Sequence, residues 1–126
     1  MARRLSWVAA TAAACVVMTL GHSAQAEEVP LVTGKQWTES SEQMKKAYLV
    51  GIANLAQVDT AYYEGKPPAD SQSILPRLEK GLQSHTLDSV RQGVDRWYAA
   101  HPDELRRPVI ETIWFELVVP GLQPKK

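Results

Sequence analysis

The carboxylates Asp88 and Asp95 lie seven residues apart, with Arg91 between them and Arg96 beside them. Two carboxylates flanking one helix face could serve as general acid and base. The same residues also form i, i+3 and i, i+4 ion pairs on a solvated face, worth a few tenths of a kcal/mol, and that simpler reading is preferred. His85 and His101, sixteen residues apart, each sit at a junction between helices. They share no helical face, and zinc needs three or four convergent ligands, so they read as solvated loop histidines. The single cysteine, Cys15, falls in the leader described below. No Gly-rich phosphate loop, G-x-S-x-G elbow or H-E-x-x-H helix occurs. No nucleophile, base and orienting group can be assembled, so the chain reads as non-catalytic, without cofactor or metal.

The aromatic residues carry more information. Eight follow the leader: Trp37, Tyr48, Tyr62, Tyr63, Trp97, Tyr98, Trp114 and Phe115. Large rings let a small domain bury enough surface, and Trp97 and Trp114 are expected in the core. Tyr62 and Tyr63 differ. Adjacent helical positions point about 100° apart, so one of the two should face solvent. With Lys66, they form the candidate partner-binding surface, beside the loop stiffened by Pro67 and Pro68.

Helical periodicity supplies the elements that would hold these residues. Residues 27–36 read as an extended lead-in. Ser40 with Gln43 has the capping-box spacing, and the spacing predicts a helix over 41–63. Its apolar stripe is Met44, Tyr48, Ile52, Leu55 and Tyr62. A strip of Ala47, Gly51 and Asn54 suggests close approach of another backbone, because glycine inside a helix costs about 1 kcal/mol against alanine. Gly65 to Pro68 ends that helix. Asp70, Ser71 and Ser73 offer caps for a brief helix carrying Ile74, Leu75, Leu78 and Leu82, with Pro76 in its first turn. Thr86 caps the next, whose face is Leu87, Val90, Val94, Trp97 and Tyr98; His101 and Pro102 stop it. Pro108 is expected as the first residue of a last helix, apolar nearly all round and most deeply buried, ended by Pro120 and Gly121. The fold class is therefore all-α: a small single-domain bundle of about four helices and no sheet.

Residues 1–26 read as a cleaved signal peptide, and 27–126 as the helical domain. Arg3 and Arg4 precede an apolar run from Trp7 to Leu20, and Ala24-Gln25-Ala26 is an A-x-A exit followed by Glu27. A run of about 14 residues is shorter than the roughly 20 that span a bilayer, so no stable membrane span is expected in the mature form. The localisation is read as periplasmic or secreted. Fourteen Lys and Arg less Arg3 and Arg4 leave twelve against fourteen Asp and Glu, a net charge of about −2 for the mature chain. No basic surplus points to nucleic acid.

Gly34-Lys35-Gln36-Trp37, then Ser40, then Lys46-Ala47-Tyr48-Leu49-Val50-Gly51 resembles the opening of small exported proteins related to the Tai-type immunity proteins of type VI secretion. Val94-Asp95-Arg96-Trp97-Tyr98, with Pro102 and Pro108-Val109, resembles the second half of the same pattern. The resemblance spans roughly 34–119 and implies a small all-α bundle. Some members of that group bind and block a cell-wall amidase in the periplasm. Those members typically carry paired cysteines, which this mature chain lacks. The expected function is thus an exported non-catalytic binding protein with another protein as partner, an immunity-like inhibitor of a secreted cell-wall hydrolase. The alternative is a small periplasmic structural or stress-related protein that binds clients or envelope components loosely.

Overall fold

The structure is a computed structural model that describes residues 28–63, 66 and 74–124. The expected signal peptide over 1–26, the segment with Pro67 and Pro68, and the expected caps Asp70, Ser71 and Ser73 lie outside the described residues. The helices are α1 (Gly34–Thr38), α2 (Glu42–Tyr62), α3 (Leu75–Gly81), α4 (Leu87–Ala100) and a last run of α5 (Val109–Thr112), a π-wound segment (Ile113–Val118) and α6 (Val119–Leu122). The fold is all-α. Among the described residues the nearest thing to a sheet is one isolated bridge between Thr33 and Pro108.

The expected lead-in contains a helix. Thr33 and Gln36 form a capping box: the Thr33 hydroxyl accepts from the Gln36 N–H, and the Gln36 side chain accepts from the Thr33 N–H. Backbone hydrogen bonds then tie this segment to the chain before α5. Gly34 N–H donates to Arg107 O and Lys35 N–H to Leu105 O, while Val109 N–H donates to Val32 O. Anchored from both sides, α1 drives Trp37 into the core, where it is 1% exposed. Trp97 and Trp114 are only half-buried and pack against the core from outside. The expectation that those two form the core is corrected to Trp37.

The register of α2 also differs from the expected one. Ser41, not Ser40, accepts the capping bond from Met44 N–H. The inward positions are Lys45, Leu49 and Ala56, with Tyr48 and Ile52 partly buried. Met44, Leu55 and Tyr62 point outward. Periodicity placed the core face one step away because Lys45 counted as polar, yet a lysine can turn inward when its ammonium is paired. Gly51 also fails the expectation of close approach, since a Cβ there would meet nothing within 4 Å. Gly51→Ala should therefore stabilise the domain by about 0.5–1 kcal/mol through helix propensity alone. A midpoint measured by urea denaturation at low protein concentration checks it; a loss of stability would contradict this placement.

The backbones that do come close are elsewhere. A Cβ on Gly121 would strike the Gly81 carbonyl, and one on Gly81 would strike Val118, so α3 and the end of the last helix touch through glycines. This contact explains why Gly121 belongs inside the helix rather than after it. The run passes Pro120, which directly follows the π-wound segment at the start of α6. At its start, Pro108 caps the helix in extended geometry rather than forming its first residue. Val109, Ile113 and Val118 are buried, but Phe115 is 55% exposed, so the run is not buried all round.

In α4, Thr86 forms its capping box with Ser89, and Val90, Val94 and Tyr98 enter the core. In α3, Ile74 is the cap and makes no side-chain capping bond. The Tyr98 hydroxyl donates to Arg107 O at 2.7 Å and accepts from Thr112 Oγ1 at 3.1 Å. Burial pushes the phenols of both Tyr48 and Tyr98 above their ordinary value of 10.0; for Tyr98, the Thr112 hydrogen bond pulls the other way. The native state thus favours the protonated phenols, whereas in the unfolded chain they ionise near their ordinary value. Their stabilisation is complete below about pH 10 and is lost as pH rises through and beyond it. Denaturation midpoints should be flatter between about pH 7 and 9 than between about pH 10 and 11. Tyr98→Phe should blunt the alkaline fall, and an unaltered fall would contradict this role.

Candidate partner-binding surface

Asp95 on α4 is the polar centre at which three helices meet. Its Oδ1 accepts from Trp37 Nε1 at 2.7 Å and from Lys45 Nζ at 3.0 Å, and its Oδ2 pairs with Arg91 at 3.2 Å. Arg91 also pairs with Glu42 on α2, and its Nε lies 3.9 Å from Asp88 on α4. One carboxylate therefore locks α1, α2 and α4 together. The Asp88–Arg91 and Arg91–Asp95 pairs match the i, i+3 and i, i+4 reading; the contacts from Trp37 and Lys45, 58 and 50 residues away in sequence, do not appear in any local pattern. With both of its oxygens engaged by donors, Asp95 is arranged to hold helices.

The histidines are local. His85 Nδ1 lies 3.2 Å from Ser89 Oγ; His101 Nδ1 lies 2.7 Å from Trp97 O, and its ring stacks on Trp97 at 4.2 Å between centroids. Among the described residues no group of three metal-ligating side chains occurs. In comparisons with protein-family models, curated proteins and solved structures, nothing matches this chain.

At the end of α2, Tyr62 is 78% exposed and Tyr63, the C-cap, is half-buried. Their rings meet edge to face with centroids 4.9 Å apart. Tyr63 N–H donates to Asp59 O, and Lys66 N–H to Tyr63 O at 2.9 Å. Lys66 is exposed. Tyr63 stands at the rim of an apolar cavity of about 780 Å³ between α2, α3 and α4, walled by Leu49, Ala56, Leu78, Leu82 and Val90. Thr60 Oγ1 donates to Glu79 at 2.6 Å across the α2–α3 side of that cavity. The three sequence-expected site residues thus share one end of α2, with Tyr62 outermost. No helix of the described residues is long and apolar enough to cross a membrane.

Proposed function

We propose that this chain is an exported, non-catalytic protein that binds another protein in the periplasm, in the manner of an immunity inhibitor covering the cleft of a secreted cell-wall hydrolase. The observation that carries this reading is Tyr62: an aromatic ring 78% exposed at the end of a 21-residue helix and braced edge-on by a half-buried Tyr63. A large side chain held in one place loses little entropy on binding, and tyrosine is enriched among residues that dominate protein interfaces. Exposed Lys66, four residues on, adds a cation that can steer an acidic partner. The leader-like first 26 residues and the resemblance at 34–119 support export and an inhibitory role.

The test begins with capture of a hydrolase from periplasmic extract and proceeds to calorimetry. Tyr62→Ala should weaken binding by about 2 kcal/mol or more, and Lys66→Glu by a smaller amount, with the helical spectrum unchanged. If both variants bind within about 0.5 kcal/mol of wild type, the interface lies elsewhere.

A further inference from the structure

The cavity between α2, α3 and α4 reaches into the core. Its described floor is Leu49, Ala56, Leu78, Val90 and Ile113, all of them buried. Protein interiors are packed as closely as organic crystals and hold few voids larger than a water molecule. A space of about 780 Å³ against five core residues of so small a domain departs from that rule. The volume falls within the roughly 300–1,000 Å³ of sites that hold small molecules. Its shape is drawn out. The walls taken from α2 run from Leu49 to Tyr63 along one face, about 21 Å of helix. Such a trough suits an extended chain better than a compact ring system.

The polar lining is uneven. Where α2 meets α3, the border holds the carboxylates Asp59 and Glu79, and Thr60 Oγ1 donates to Glu79 at 2.6 Å. From the end of α3 to the start of α4 it holds Lys80, Gln83 and His85. All three can donate hydrogen bonds, Lys80 carries a positive charge, and no carboxylate occurs between Lys80 and His85. His85 Nδ1 lies 3.2 Å from Ser89 Oγ, a contact that orients the ring. Lys80 is exposed, so its ammonium stays hydrated while its stem borders the trough. We propose that this trough binds one free fatty acid, with the alkyl chain along α2 and the carboxylate at the Lys80–His85 side. Each methylene placed against the apolar floor adds to the affinity. Asp59 and Glu79 repel an anionic head from the α2–α3 side, which leaves one orientation. Tyr62 is not among the described lining residues, so the site does not rest on the inhibitory reading.

Titration of the purified protein with decanoate, dodecanoate and dodecyltrimethylammonium, each below its micellar concentration, tests the site by calorimetry. Dodecanoate should bind one per chain. Decanoate, two methylenes shorter, should bind about tenfold more weakly. Dodecyltrimethylammonium, equal in chain length and opposite in charge, should bind at least about fivefold more weakly than dodecanoate. Ala53 borders the trough and is partly exposed, so Ala53→Trp fills the space from α2 and should abolish binding of both. Lys80→Glu, on an exposed residue, should weaken dodecanoate about fivefold or more and leave dodecyltrimethylammonium as tight or tighter. If Ala53→Trp does not fold, Lys80→Glu decides alone. Tyr62→Ala should bind dodecanoate within about threefold of wild type, whatever it does to capture of a hydrolase, so the two readings fail separately. No binding of dodecanoate up to about 1 mM overturns the proposal, including where vesicles of anionic phospholipid do bind. So does equal affinity for the two head charges, dodecanoate binding by folded Ala53→Trp or by Lys80→Glu within about threefold of wild type, or its loss in Tyr62→Ala.

Discussion

Trp37→Ala should cost about 3–5 kcal/mol of stability, the range for deleting a fully buried large aromatic side chain. Trp37 is 1% exposed, its ring meets Tyr48 edge-on at 6.1 Å, and its indole N–H is held by Asp95. Truncation opens a cavity between α1, α2 and α4 and removes one of the three donors on Asp95. A domain of this size holds about 5–10 kcal/mol in total, so the variant should lose about a third or more of its stability. Trp97→Ala and Trp114→Ala should cost less, because both rings are half-buried. Guanidinium denaturation of the three variants ranks them. If Trp114→Ala costs more than Trp37→Ala, the core has been placed wrongly.

Asp95→Ala should cost about 2–4 kcal/mol. It leaves the Trp37 N–H without an acceptor, which costs about 1–3 kcal/mol when the donor is buried. It also leaves Lys45, whose side chain is 10% exposed, without its counter-charge. Stranding a buried charge costs about 3–5 kcal/mol in the fully buried case, but the Asp95 side chain is 30% exposed, so solvent screening reduces that share. Asp95→Asn should be milder, since the amide oxygen can still accept from Trp37. A double-mutant cycle with Lys45→Met should show a coupling of about 1 kcal/mol or more, as expected of two residues in one network. A loss under about 0.5 kcal/mol for Asp95→Ala would mean that the carboxylate does not hold the helices together.

These two residues mark the boundary of what sequence periodicity reveals. The helices over 42–62 and 87–100 follow from helical periodicity and lie within two residues of their expected bounds, although the cap and inward face of the first are each one residue off. The local rule also held at Thr86, which caps α4 as its spacing with the following residues suggests. It failed where a distant contact decides. Lys45 reads as a solvated residue until Asp95 is brought to it from 50 residues away. Trp37 reads as part of a lead-in until the chain at Leu105 to Val109 clamps α1. The Thr33–Gln36 capping box is the local signal for α1, which is too short to show an apolar stripe of its own. The stripe of Met44, Tyr48, Ile52, Leu55 and Tyr62 is legible, but packing turns only Tyr48 and Ile52 of it toward the core and leaves the other three outward. At the candidate site, that one of Tyr62 and Tyr63 must face water follows from helix geometry. Which one does so depends on where the cavity between α2, α3 and α4 lies.

The reading of the protein as an inhibitor rests most heavily on what it does to a hydrolase. The most direct measurement is peptidoglycan digestion by a secreted cell-wall hydrolase captured from periplasmic extract, with the protein titrated in. Digestion should fall to background at equimolar inhibitor, and Tyr62→Ala should need at least about tenfold more protein to do the same. Full digestion in the presence of an excess of wild-type protein would contradict the account.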